Sequence, residues 1–366
     1  MASAIEFEQL AAAGQIIYSN TRYDSTYIID QPELSRIIAA GEIPVLHVGQ
    51  PEAIDALLAT APTIRWVVVE LWCPREVAAE RAAARGTNDT AERLAVWDAT
   101  PRLAVADAQI DTSTVDPAAA ARKIMEAVAA AKCSIVVPTM HLVHPDGTVD
   151  LAATRRHAVA AAESWVDFFL INGSTTAGSE LTNMERAAVL DIWLEAADPG
   201  RLLACAWSAE DVATAADRHV TPMAVLQANT QIAAEQFLQA LPPGSTIYSH
   251  PMFGRTFDAK LAAWARSMGH LPSGGKLAKI RPDETAEIHR TAPEFTIWDG
   301  SARRIQRSVA AGAAGVVATT LSAMLTDLPP RSLARIQPTI DAVQATLDQL
   351  PDRTAKRRWI LDQIEV

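Results

Sequence analysis

Long apolar runs are missing from this chain. None reaches the roughly 18 consecutive apolar residues that a spanning helix needs, so no membrane segment is expected. Cysteine is scarce as well. Cys73, Cys133 and Cys205 stand far apart with no metal-type spacing, which reads as three reduced thiols in a cytosolic protein. Aromatic residues are only 5%, which argues for tight helix-on-strand packing of small side chains rather than an aromatic-rich sandwich. Basic residues are outnumbered, 32 Lys and Arg against 43 Asp and Glu. The net charge of −11 excludes a broad nucleic-acid or anionic-membrane surface while leaving room for a local basic site. The start, MASAIEFEQL, lacks a basic segment followed by an apolar run, so no signal peptide and a cytoplasmic location are expected.

What is present is 366 residues, 49% hydrophobic and 20% charged, enough for more than one core. From residue 134 onward, short apolar runs alternate with helical stretches. The eight runs are 134–138, 166–172, 202–207, 223–228, 246–250, 276–280, 295–299 and 315–319. Strand and helix in alternation make βα units, and eight such units close into a (β/α)8 barrel, here over residues 131–328. Leu328-Pro-Pro330 then breaks the chain, and helices at 332–349 and 352–364 fill a C-terminal segment, 329–366. Residues 1–130 read as a smaller α/β domain. Its expected helices are 5–13, 31–40, 51–59 and 74–86, and its expected strands 15–18, 43–48 and 65–71. No low-complexity linker separates the two domains.

Sites in such barrels lie at the C-terminal ends of the strands. The second barrel strand runs into Asn172-Gly-Ser-Thr-Thr-Ala-Gly178, whose hydroxyls and N–H groups offer a cradle for a small carboxylate. The fifth carries Tyr248, able to relay a proton, followed by Arg255, able to grip a carboxylate with two nitrogens. The sixth carries Lys276 and Lys279. Burying a cation is costly, so a lysine among apolar side chains favours its neutral amine, which can attack a keto carbon and form a Schiff base.

The order of these features resembles the dihydrodipicolinate synthase / N-acetylneuraminate lyase family. Pro138 with Asp146-Gly-Thr-Val-Asp150 is similar to its first strand and first helix start. Asn172-Gly-Ser-Thr, Leu181-Thr and Glu185-Arg186 resemble its "N-G-T-T-G-E…L-T-x-x-E-R" stretch. Ile247-Tyr-Ser-His-Pro251 with Gly254-Arg-Thr256 resembles "L-Y-N-x-P-x-R-T-G". The resemblance implies that Ser174 and Thr175 bind the keto-acid carboxylate, Ser174 also joining a proton relay. Tyr248 would be the acid and base beside the Schiff base, and Arg255 would meet the carboxylate of the second substrate. It favours Lys279 as the Schiff-base lysine, with Lys276 the alternative: Lys276 keeps the downstream length better but has only Pro272-Ser-Gly-Gly275 ahead of it, a poor strand. Three departures stand out. The second Thr-Gly-Glu element of the loop after the second strand reads Thr176-Ala177-Gly178. The family's "P-Y-Y-N-K-P" loop is replaced by Leu226-Gln-Ala-Asn-Thr230, and Met252-Phe253 lengthen the loop after the fifth strand. The pyruvate half of the site is expected to be kept and the partner half rebuilt.

Residues 1–130 resemble guanylate kinase entered part-way. Gly14-Gln-Ile-Ile17, Tyr23-Asp-Ser25 and the lid-like Arg85-Gly-Thr-Asn-Asp-Thr-Ala-Glu-Arg93 carry the likeness. No Gly-x-x-x-x-Gly-Lys-Ser/Thr loop occurs, which excludes phosphotransfer of the usual kind.

The expected function is therefore a class I lyase or synthase that joins or splits pyruvate, or a close 2-keto acid, and an aldehyde or imine. This chemistry calls for no metal and no cofactor, and the expected assembly is a homo-oligomer. The alternative is a scaffold or regulatory protein built of two degenerate enzyme domains. Joint retention of Lys279, Tyr248 and the Gly-Ser-Thr loop favours catalysis, since drift would scatter its losses.

Overall fold

The computed structural model describes residues 4–22, 25–87 and 89–364. Tyr23, Asp24 and Asn88, which belong to the N-terminal motifs above, lie outside the described residues. The chain divides into two units, Met1–Ala127 with Pro330–Arg335 and Val128–Pro329 with Ile336–Val366.

In the first unit β1 (Ile16–Arg22) and β2 (Ser25–Asp30) pair antiparallel, while β3 (Val69–Trp72) and β4 (Ala108–Asp111) pair parallel. Asp30 starts the helix Gln31–Ala39 by accepting from the Glu33 N–H, and Pro32 sits in the first turn, where an N–H is not needed. Residues 43–48, expected as a strand, are irregular, and Ile43 and Val45 are 83% and 77% exposed. An apolar run without a neighbouring strand has no ladder to join.

The expected boundaries also shift, because Pro330–Arg335 return to the first unit. The Trp66 N–H donates to the Arg331 carbonyl. The buried Asp107 carboxylate accepts from the N–H groups of Val68 and Ala334, at 2.6 and 2.8 Å. A buried carboxylate needs donors, and one of these comes from beyond the Pro329-Pro330 break.

In the second unit the strands are β5 (Ser134–Pro138), β6 (Phe168–Ile171), β7 (Leu202–Ala206), β8 (Thr221–Val225), β9 (Thr246–Ser249), β10 (Gly274–Leu277), β11 (Thr296–Asp299) and β12 (Gly315–Val317). They form a closed parallel barrel in chain order, with β12 returning to β5. Side chains alternate between the interior and the helix-facing side. Val136, Leu170, Leu203, Met223, Tyr248 and Trp298 pack together inside. Ile247, Leu277 and Ile297 pack instead with Leu238, Leu261 and Ile288 of the surrounding helices. Two glycines open β10 because its neighbours come close. A Cβ on Gly274 would lie 2.5 Å from the Thr296 carbonyl oxygen, and one on Gly275 would lie 2.7 Å from the Ile247 side chain.

The helices Leu333–Asp348 and Arg353–Asp362 close the chain. Val343, Leu347 and Ile360 from them share a buried cluster with Met140, just past β5, and Ala323, just past β12. The last helix thereby lies at the C-terminal ends of the strands, against the turns Ser174–Thr176 and Thr319–Met324.

Candidate active site

One lysine stands in the barrel interior. Lys276 is in register with Tyr248 on β9 and Trp298 on β11, so the three side chains project inward side by side. Lys276 is 4% exposed, and its Nζ lies 4.2 Å from the centroid of the Tyr248 ring. Among the described residues no carboxylate forms an ion pair with it. The Tyr248 hydroxyl is 2.9 Å from Ser174 Oγ. The Tyr248 ring thus meets the Lys276 amine on its face and the Ser174 hydroxyl at its phenol oxygen. Cys205 lines the same interior, but burial pushes its thiol up to about 12, so it stays protonated and is a poor nucleophile.

The cradle loop is built by local constraint. Ser174–Thr176 form a 3-10 turn whose first backbone bond runs from the Thr176 N–H to the Gly173 carbonyl. The N–H groups of Ser174 and Thr175 precede that bond and have no partner within the turn. Asn172 and Ala177 take left-handed backbone angles, φ 57° and 56°. Gly178 must be glycine, since a Cβ there would lie 1.9 Å from the Asn172 carbonyl oxygen. Arg186 holds the loop from below. It is buried, its Nε donates to Asp211 at 2.8 Å, and its Nη1 donates to the Gly178 carbonyl at 3.1 Å. It also bonds the Leu181 carbonyl and the Asn183 side chain. Glu185 completes a capping box with Thr182, starting the helix Asn183–Ala196.

The structure does not bring Lys279 to this place. It lies two residues past β10, exposed, with φ 61°. The order preferred from the sequence, Lys279 ahead of Lys276, is reversed by this placement. Thr175 is half-buried beside Ser174. Arg255 sits past β9, its guanidinium paired with Asp258 at 3.0 Å. Several residues were not singled out from the sequence. Phe253, from the lengthened loop, packs edge-on against Tyr248 at 5.4 Å, and Trp207 packs against Phe253 at 5.5 Å. Trp298 packs against Phe168 across the interior at 5.7 Å. His250 accepts from the Met252 N–H through Nδ1, and burial, with the nearby cations Arg353, Lys276 and Lys279, holds it below the usual histidine range. The signal that could have found Phe253 is the insertion itself, an aromatic added where the family pattern has none.

A separate cavity of about 570 Å³ lies within the first unit, between β3 and the helices Arg75–Ala84 and Thr90–Ala99. It contributes nothing to the lysine site.

No family model matches the chain, and no curated protein matches it. Solved structures do. Dihydrodipicolinate synthase from Agrobacterium tumefaciens superposes with a TM-score of 0.52 at 15% identity, covering 63% of this chain and 97% of that one. A variant of the 2-keto-3-deoxygluconate aldolase of Sulfolobus solfataricus gives 0.51 at 16% identity, covering 63% and 85%. The barrel has their fold.

Proposed function

We propose that the barrel is a class I aldolase or synthase in which Lys276 holds pyruvate, or a close 2-keto acid, as a Schiff base. The observation that carries this reading is the buried Lys276 amine on the Tyr248 ring, with the Tyr248 hydroxyl bonded to Ser174. The Lys276 amine attacks the C2 carbonyl, and loss of water leaves an iminium. Loss of a C3 proton gives the enamine, whose C3 adds to an aldehyde or imine carbon. Hydrolysis then releases product and restores the lysine. The same steps reversed cleave the bond. Tyr248 carries the protons at C2 oxygen and C3, passing them through Ser174. Ser174 and Thr175 hold the carboxylate, and Arg255 faces the second substrate. The replaced segment Leu226–Thr230 and the Phe253–Trp207 wall make the acceptor different from that of dihydrodipicolinate synthase.

The guanylate-kinase likeness of residues 1–130, a homo-oligomeric assembly and a cytoplasmic location are part of the same proposal. They rest on the N-terminal motifs, on the habit of such barrels and on the reduced cysteines.

The test is borohydride reduction in the presence of pyruvate, followed by intact mass and peptide mapping. A reduced pyruvyl group on Lys276 is expected. Addition on Lys279 would keep the mechanism and move the lysine. No adduct with pyruvate or a panel of 2-keto acids would overturn the aldolase reading.

A further inference from the structure

Four cationic side chains stand around the mouth above Lys276, and they are not equivalent. Arg255 is offset by Asp258 at 3.0 Å, and Arg357 by Glu180 at 3.4 Å. Lys279 and Arg353 have no carboxylate partner among the described residues. Both flank His250. The β9–β10 ladder continues past its last paired residues, with the Ala278 N–H donating to the Ser249 carbonyl. Ala278 is therefore in line with His250, and Lys279 follows it in the turn, close enough for its charge to act on the His250 ring. Arg353, from the first turn of the last helix, reaches Met252 with its Nη1 at 3.1 Å from the sulfur, and the Met252 N–H donates to His250. Phe253, next along, packs on Tyr248. The two unpaired cations thus sit one layer above the amine and phenol of the reacting centre.

Lys279 occupies its position against local preference. A left-handed backbone suits glycine and disfavours a lysine, yet the turn holds an exposed lysine there. Arg353 lies in the first turn of its helix, where the macrodipole favours an acid rather than a base. Two cations in locally unfavourable settings, without acidic partners, leave a positive field over a mouth in a chain of net charge −11.

We propose that Lys279 and Arg353, with His250 between them, form a subsite for a second carboxylate, so that the compound held on Lys276 is a dicarboxylate. The subsite rests on the aldolase reading, since it needs a substrate anchored below. The planar Arg353 fork and the Lys279 ammonium suit one carboxylate at the end of the substrate furthest from the Schiff base.

Trapping tests it without knowledge of the acceptor. Borohydride reduction of the full chain is titrated with 2-oxoglutarate and 2-oxoadipate, and with the neutral-tailed 2-oxopentanoate and 2-oxohexanoate. Half-saturating concentrations are read from adduct mass, at low ionic strength because exposed charges are screened by salt. At least one dicarboxylate is expected to half-saturate at about tenfold lower concentration than its neutral-tailed counterpart, as one charge-assisted contact allows. The Lys279→Ala/Arg353→Gln double variant is expected to erase that preference. Circular dichroism and melting confirm that the variant folds, and both positions are exposed. Trapping without preference for either dicarboxylate overturns the subsite and leaves the aldolase reading standing. A preference that survives the double variant also overturns it. Failure of every keto acid to trap overturns both.

Discussion

A buried amine among apolar side chains is held there against its own solvation. Lys276 has no ion-pair partner among the described residues and rests on the face of a tyrosine, so the fold gains little from it. Lys276→Met keeps the unbranched shape and removes the polar head. It should abolish the pyruvate adduct while leaving unfolding free energy equal to the parent or up to about 2 kcal/mol higher, as read by urea titration. A loss of stability would mean that Lys276 is structural. Tyr248→Phe removes only the hydroxyl bonded to Ser174. Adduct should still form at Lys276, and hydrogen exchange at C3 of bound pyruvate should slow by about 100-fold or more, the usual size of a lost acid–base group. Exchange at the parental rate would remove Tyr248 from the proton path. These two residues also show what could be read from sequence. Tyr248 was legible because its strand is apolar and its motif is dense. Lys276 ranks behind Lys279 in the sequence because Gly274 and Gly275 look like a turn, when they mark close approach to Thr296 and Ile247.

At the scale of single elements, the cradle loop depends on a group beneath it that never meets substrate. Arg186 and Asp211 are each about 8% exposed and bonded to one another, and the other guanidinium nitrogens donate to the Gly178 and Leu181 carbonyls and the Asn183 side chain. Asp211→Ala leaves that guanidinium buried without its counter-charge and should destabilise the barrel by about 3–5 kcal/mol. Glu185-Arg186 was legible as a motif, but its role as the loop's support was not. The partner Asp211 lies on the next helix, and sequence spacing does not announce the pairing. A second element carries an acid-sensitive group. His157, on the helix Leu151–Ala162, is 2% exposed, with neither ring nitrogen hydrogen-bonded among the described residues and its ring edge-on to Trp193. Burial pushes it down to about 4. The unfolded chain therefore binds the proton first, so stability is full above the ordinary histidine value near 6.5 and falls as pH drops toward 4. His141, also held at about 4 by burial and by Arg357, acts with the same sign. His157→Phe should recover about 2 kcal/mol of the stability lost between pH 7 and pH 5. An unchanged acid limb in urea titrations at the two pH values would show that His157 is already protonated or solvated.

At the scale of the whole molecule, the barrel was legible because periodicity repeats eight times and each apolar run has a partner on both sides. The first unit was less legible for the opposite reason. Its sheets have two strands each, residues 43–48 join neither, and a six-residue segment returns to it from far along the chain. That return hangs on Asp107, whose buried carboxyl is held above the usual carboxylate range by desolvation and accepts from Val68, Ala334 and Ser332. Asp107→Ala would leave those donors buried with nothing to meet, a loss on the order of 3 kcal/mol to the first unit. A change of that size raises the open population about 100-fold. Limited proteolysis should then cut within residues 1–127 correspondingly faster in the variant, while the keto-acid adduct at Lys276 still forms at low temperature. Equal cleavage rates in parent and variant would mean that Pro330–Arg335 lies beside the first unit without holding it. Loss of the adduct together with faster cleavage would mean that the two units fold as one.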